Sequence, residues 1–223
     1  MKTLLTACAA LLLLAACGTD EKKSNRVLIP MSLPAKLDLS TYDHVVFPGF
    51  ISDVENEFFV PEVEAVNYFR RELVRRDVID VLEMDIVDLK DKDPRSFFER
   101  EQPYFTQLPV DAPGATLAVT GVVSFEARDL SRFQRVQDRA ANGRVYYRTQ
   151  FVEMTGFELN IRVLVYELDS GKMLYRETLS DRMDIQGKEV DQRLVYYDLL
   201  NRVSGKIVGL FSNTVVRDER ILK

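Results

Sequence analysis

Residues 115–126 read Ala-Thr-Leu-Ala-Val-Thr-Gly-Val-Val-Ser-Phe-Glu, with β-branched and apolar side chains at both alternating positions before the run turns polar. A strand that is apolar on both faces needs cover on both faces, so its first half belongs in the middle of a layered sheet. Gly121 within it marks a bulge or a close approach of another backbone.

The flanking segments supply neighbours for that strand. Asp43 to Phe50 is a short apolar run closed by Pro48-Gly49, the pattern of a buried strand ended by a turn. After a loop over 52–60, Pro61 stands at a first helical position, with Glu62 and Glu64 at the positive end of the helix dipole. Val63, Val66, Phe69-Arg70 and Leu73 then recur at helical spacing, opposite Glu64, Asn67, Arg71 and Arg75, and the helix ends near Arg76-Asp77. Val78 to Glu83 reads as a second strand. Between 85 and 113 the pattern weakens, with a short helix expected over 94–101. Its carboxylates lack the ordered spacing of a calcium loop and read as a solvated acidic face.

Further on, Phe157, Leu159, Ile161, Val163 and Val165 alternate as one side of a strand. Asp169-Ser170-Gly171-Lys172 turns the chain into a partner strand from Met173 to Leu179. Val190 to Phe211 is a long amphipathic helix, whose expected buried stripe is Leu194, Tyr197, Leu200-Asn201, Val203, Ile207 and Leu210-Phe211. Between the central strand and this group lies a polar hairpin, Arg128 to Arg148, turning at Ala141-Asn142-Gly143-Arg144. Along its first strand neither alternating set is apolar, so it lacks the lipid-facing side of a membrane-barrel hairpin. The fold class expected is α/β of the α+β kind: a single mixed, largely antiparallel sheet layered with amphipathic helices, plus an extended polar hairpin.

The chain begins Met1-Lys2, continues through an apolar run containing Leu11 to Leu14, and reaches Ala15-Ala16-Cys17-Gly18. This resembles a bacterial lipoprotein signal peptide with Leu14-Ala15-Ala16-Cys17 as the lipobox. The resemblance implies cleavage before Cys17, a diacylglyceryl thioether on its sulfur and an acylated, palmitate-type amino terminus, which together anchor a protein stably where one chain would not. An uncleaved membrane helix is the alternative, but Leu4 to Ala16 falls short of the roughly 20 residues a span needs. Leu5-Thr6-Ala7-Cys8 meets the same loose pattern with almost no apolar core before it. Gly18 after the cysteine resembles the sorting signal for the outer membrane. The expected organisation is a signal peptide over 1–16, an acylated terminus and flexible tether over 17–40, one globular domain over 41–216 and a charged tail over 217–223. Little regular structure is expected before Tyr42.

With 223 residues, 46% of them hydrophobic and 29% charged, the chain has ample material for a self-sufficient core behind its anchor. The formal charge of −5, one more negative once Lys2 is removed, argues against a nucleic-acid footprint. Cys8 and Cys17 are the two cysteines, so cleavage and lipidation leave no thiol for catalysis, zinc or redox chemistry. His44 is the one histidine, at a strand entrance with no serine nucleophile motif nearby.

Phe47-Pro48-Gly49-Phe50, the helix, the strand ending in Glu83, Leu117 to Val123, Leu164 to Leu174 and the closing helix together resemble one periplasmic family. It is the anticodon-binding-like α/β domain shared by the curli secretion channel lipoprotein, the penicillin-binding-protein activator lipoprotein and the amino-terminal domain of the periplasmic Tol-system protein. The resemblance spans about Asp43 to Ser212. It implies an envelope adaptor or assembly subunit that binds other proteins and needs no catalytic residue. The hairpin over 128–148 departs from it, because a membrane-spanning hairpin needs an alternating apolar face.

Three functions follow as expectations. The first is a lipid-anchored, periplasm-facing adaptor with an envelope protein partner, no nucleic acid and no cofactor or metal; a homo-oligomer stays open. Its expected partner surface is Arg132, Arg135, Arg139, Arg144 and Arg148, a basic excess inside an acidic chain, since arginine and tyrosine are enriched at interface hot spots. A carrier of lipid or small molecules is the second, with a groove built from Tyr146-Tyr147, Tyr196-Tyr197, Phe97-Phe98 and Tyr104-Phe105. The third is a cell-wall hydrolase using Glu153 with Glu158, or Asp181 with Asp184. The adaptor, which is not an enzyme, is the preferred expectation.

Overall fold

The computed structural model describes residues 25–222 apart from 88, 90–92, 95–96, 99–107, 109, 111–114 and 188. The chain divides into two compact units, Pro34–Thr214 and a second made of the chain up to Leu33 and from Val215 onward. In the second unit β1 (Asn25–Leu33) pairs with a strand near the C-terminus, β9 (Thr214–Leu222), as a two-stranded sheet. This corrects the expectation of an irregular stretch before Tyr42 and of an unstructured tail from Arg217. Val27-Leu28-Ile29 and Val215-Val216 are β-prone runs, and each strand supplies the other with a ladder partner that lies far away in sequence.

The larger unit is an α+β fold built on a five-stranded mixed sheet. In chain order it contains β2 (His44–Ser52), α1 (Pro61–Arg76), β3 (Asp80–Val81) and β4 (Thr116–Asp129). There follow β5 (Arg132–Arg139), β6 (Val145–Val152), β7 (Met154–Glu167), β8 (Met173–Gln186) and α2 (Gln192–Phe211). The sheet order is β3-β2-β4-β7-β8. β2 lies parallel to β3 and β4, whereas β4-β7 and β7-β8 are antiparallel. Among the described residues no helix is long and apolar enough to cross a membrane.

β4 sits at the centre, and both its faces are covered. On one side Leu117, Val119, Val123 and Phe125 join Val45, Phe50 and the inward residues of β7 under the two helices. On the other, Ala118 and Val122 join Val46, Ile51, Leu164 and Tyr166 beneath Leu89, Phe97 and Phe98. Phe157, Leu159, Ile161, Val163 and Val165 are all buried, as their alternation predicts. Gly121 is the close approach: with φ at +151°, a Cβ there would stand 1.7 Å from the Arg162 carbonyl oxygen. No side chain fits.

Pro48-Gly49 does not close β2. The strand runs through the pair to Ser52, with a register shift between Val46 and Gly49 against β4. Proline lacks a ladder N–H and settles at such a bulge. The Pro48 carbonyl there accepts from Val87 N at 2.7 Å, and the Thr120 hydroxyl donates to Gly49 O at 2.5 Å. The second strand is also shorter than Val78 to Glu83, since only Asp80 and Val81 pair with β2. Leu82 N still donates to Val45 O, but the chain then leaves the sheet to cover its second face. Pro94, Phe97 and Phe98 are helical, and the rest of the short helix expected over 94–101 lies outside the described residues.

α1 has Pro61 in its first turn and ends at Asp77, whose φ of 50° stops it in left-handed geometry. α2 starts at Asp191, whose carboxylate accepts from Arg193 N and Leu194 N. Its buried face matches the expected stripe at Leu200, Val203, Ile207, Leu210 and Phe211 and departs from it in the first turns and at Asn201. Val195, Tyr196, Leu199 and Leu200 are buried, whereas Leu194 is 61% exposed and Asn201 faces solvent. Tyr196 decides the departure in the first turns: its hydroxyl donates to Pro61 O at 2.7 Å, and its ring lies 5.0 Å from Phe59 and 5.1 Å from Phe125.

Candidate interaction surface

β4 and β7 pair continuously from Leu117↔Glu167 to Asp129↔Thr155, and beyond that point the same two chain directions continue as a separate ribbon. The junction is built locally. Ser131 N donates to the Asp129 carboxylate at 2.8 Å, Met154 N to the Ser131 hydroxyl at 3.2 Å, and Leu130 N to Met154 O at 2.8 Å. Leu130 also fills the space over Gly156, where a Cβ would stand 2.5 Å from its Cδ1. The hairpin arm therefore begins at Arg132 and runs to Val152, later at both ends than the 128–148 expected, because Arg128 and Asp129 still belong to the main sheet.

At the tip, Ala140 N donates to Arg144 O and Gly143 N to Ala140 O, with Gly143 at φ +82°. Register then assembles what one strand alone does not reveal. Phe133↔Phe151, Arg135↔Thr149, Gln137↔Tyr147 and Arg139↔Val145 share one face. The two phenyl rings meet at 5.1 Å, and the Arg135 guanidinium lies 4.4 Å from the centroid of Tyr147. Phe133 is 73% exposed and Tyr147 55%. On the opposite face Arg148 pairs with Asp138 at 3.2 Å beside Tyr146, and Arg132 stands further along that face opposite Val152.

Of the five arginines expected to form one surface, Arg135 and Arg139 share the aromatic face, Arg132 and Arg148 take the other, and Arg144 sits at the tip. Cys17, the expected site of lipid attachment, lies outside the described residues, as do Tyr104 and Phe105. The remaining groove aromatics are scattered. Tyr196 is buried in the main core and so is not the exposed tyrosine expected, Phe97 and Phe98 are buried in the second core, and Tyr146-Tyr147 stand on the arm.

Of the expected hydrolase carboxylates, Glu158, Asp181 and Asp184 sit on sheet strands and Glu153 lies between β6 and β7. Asp181 lies 3.8 Å from Arg202 and Asp184 4.0 Å from Arg182, while Glu158 accepts from Asn160 at 3.0 Å. Among the described residues no group of three or more His, Cys, Asp or Glu side chains is placed to hold a metal. His44 Nδ1 meets Asp80 Oδ2 at 3.0 Å across the parallel β2-β3 pair.

Sequence reasoning missed a cleft of about 1330 Å³ between the polar side of α1, residues 81–87 and the start of α2. Arg70 forms its floor. One Nη2 donates to Phe47 O at 2.7 Å and to Met84 O at 2.9 Å, tying the β2 bulge to the segment that leaves the sheet. Burial lowers the Arg70 pKa, opposed by Glu83 and Asp85. At the rim Glu64 accepts from Arg193 and from the Tyr197 hydroxyl, and burial followed by that carboxylate pushes the phenol pKa up. Arg70 carried the one available sequence signal, a cation within an otherwise apolar stripe.

No family model and no curated protein matches this chain. Among solved structures it is similar to the hypothetical protein CT253 from Chlamydia trachomatis, at 16% identity and a TM-score of 0.36, over 75% of this chain and 87% of that one. It is also similar to a neuraminyllactose-binding hemagglutinin homolog from Helicobacter pylori, at 13% identity and a TM-score of 0.32, over 79% and 83%. Lipoprotein GNA1162 from Neisseria meningitidis matches at 11% identity and a TM-score of 0.33, over 74% and 97%.

Proposed function

We propose that this chain is an envelope lipoprotein, anchored to the outer membrane through acyl chains on Cys17 and facing the periplasm, that works by binding another protein rather than by catalysis. The observation that carries this reading is the arm, a two-stranded ribbon with Phe133, Phe151 and Tyr147 exposed beside Arg135 and Arg139. Aromatic and arginine side chains held rigidly at low conformational cost are the material of interface hot spots. The Leu14-Ala15-Ala16-Cys17 signature supports the anchor, and the resemblance to the anticodon-binding-like envelope domains supports the adaptor role.

The test is crosslinking in intact cells followed by mass spectrometry of adducts on the arm. Adducts are expected within 132–152, and they should disappear in the Arg135→Ala/Arg139→Ala variant. A chain with no adducts on the arm would sink the adaptor reading. Acylation is checked separately, because Cys17→Ala should leave the precursor unprocessed and unlabelled by radioactive palmitate. A second reading, carriage of a small polar molecule, draws on the cleft over Arg70. Its rim of Glu64, Arg71, Arg75 and Arg193 suits charged groups better than acyl chains.

A further inference from the structure

Taking the arm as a binding surface, we propose that its partner is a second copy of this chain, docked head to tail so that the arm of one copy seats on the acidic loop 53–62 of the next. Charge is the first argument. The arm carries five arginines and one aspartate between Arg132 and Val152, leaving a large negative excess on the remainder of a chain of formal charge −5. Loop 53–62 contributes Asp53, Glu55, Glu57 and Glu62 with no basic residue. Two arms repel one another, so a two-fold arm-to-arm contact is disfavoured, whereas arm on loop is complementary.

The loop is also built to be met. Asn56 Oδ1 accepts from Phe58 N at 2.9 Å and from Phe59 N at 3.3 Å, and this turn splits the two phenylalanines. Phe59 goes inward against Phe125 and Tyr196, at 5.7 and 5.0 Å. Phe58 is left 71% exposed with Val60 at 50%, an apolar pair inside an acidic rim. Beside them is a concavity of about 190 Å³ lined by Glu55, Asn56, Glu57 and Glu62 among others. One Glu62 carboxylate oxygen is buried there without a hydrogen-bond partner. The carboxylates of Glu55, Glu57 and Glu62 along this concavity give an entering guanidinium charged acceptors.

Position fits a neighbouring copy rather than the arm's own domain. Ser52, where the loop starts, lies in register with Val123 on the parallel β4, and β4 runs on to Asp129 before the arm begins. Eight residues per arm strand, at about 3.4 Å each, carry the tip roughly 25 Å further out. The ring pair, cation-π contact and ion pair described for the arm all lie within it. A contact between two different surfaces closes into a ring or grows as a filament, according to the rotation between copies.

The experiment uses the full chain in cells, with Phe58→Cys and Phe133→Cys introduced singly and together and treated with a bismaleimide. The double variant should give a ladder of dimer, trimer and higher species, while each single variant and the parent stay at the monomer. Arg135→Glu/Arg139→Glu should reduce the ladder at least tenfold, as should Glu55→Arg/Glu57→Arg, and combining the four should restore it. Circular dichroism melts of each variant verify that the exposed changes leave the fold intact. Dimers from Phe133→Cys alone would overturn the head-to-tail contact, and so would a four-residue swap that fails to restore the ladder. A missing ladder with arm adducts to a different protein overturns self-docking and leaves the adaptor reading standing. Losing both defeats both.

Discussion

β4 and β5 are consecutive strands separated only by Leu130 and Ser131, yet they lead opposite lives. β4 is apolar on both faces and covered on both, so Leu117, Ala118, Val119 and Val123 are all fully buried. β5 and its partner β6 form a ribbon in which the Phe133 and Phe151 rings meet at a tilt of 56° and remain exposed. Backbone pairing is equally regular in both regions. Cover is what separates them: apolar burial at about 25 cal/mol per Å² stabilises the sheet, while the same kind of side chain left bare on the arm is available to a partner. The prediction is that core substitutions change stability and arm substitutions change association.

The largest expected effect is Gly121→Val. A Cβ 1.7 Å from a backbone oxygen, at a φ that side chains avoid, cannot be relieved by a rotamer change. No cooperatively folded protein should be recovered, and a normal melting transition would show that β4 and β7 can separate there. Phe125→Ala comes next, with a loss of about 3–5 kcal/mol in urea unfolding, because Phe125 lies among Phe59, Phe157 and Tyr196.

Tyr196→Phe should cost about 1 kcal/mol by removing the hydrogen bond that its buried hydroxyl donates to Pro61 O. It also carries a pH signature. Burial, followed by the nearby Glu62 and Glu64 carboxylates, raises the Tyr196 pKa well above 10.0 in the folded chain. A pKa raised on folding gives stability that is complete below the unfolded value and is lost as the pH rises above it. Stability should therefore fall above about pH 10, and the fall should be shallower in Tyr196→Phe; equal slopes would refute the assignment. The smallest effect is Phe133→Ala on the arm, within about 0.5 kcal/mol of the parent, as for an exposed site. A loss above 2 kcal/mol would mean that the arm is part of the folding unit and erase the contrast.

Period-two and period-three-to-four patterns carried most of the fold. The five inward residues of β7, the double apolar face of β4 and the Pro61 start of α1 were all legible, because each depends on neighbours in sequence. The misplacements have a common cause. Pro48-Gly49 resembles a turn, but a proline at a bulge is tolerated when the ladder across it is completed by β4 and by Val87 N. The α2 stripe missed at its N-terminal end, where Leu194 and Tyr196 are both credible core residues and the Pro61 carbonyl selects Tyr196. β1 and β9 read as tether and tail because their pairing partners lie at opposite ends of the chain. At the candidate surface the basic excess of the arm was readable as composition, whereas its aromatic face was not, since Phe151 and Tyr147 join Phe133 and Arg135 only through cross-strand register. The cleft over Arg70 showed only as a cation in an apolar stripe, because its walls come from α1, residues 81–87 and the start of α2.

By itself, then, the sequence determined the strands and helices with strong local periodicity, the lipobox-like start and the absence of any thiol besides Cys8 and Cys17. These are properties of composition and of residues a few positions apart. Tertiary structure alone decided that Tyr196 rather than Leu194 enters the core from the start of α2, that Gly121 lies under Arg162, and that two phenylalanines eighteen positions apart share one exposed face. Each of these depends on contacts between distant segments, whose energies no local window of sequence contains.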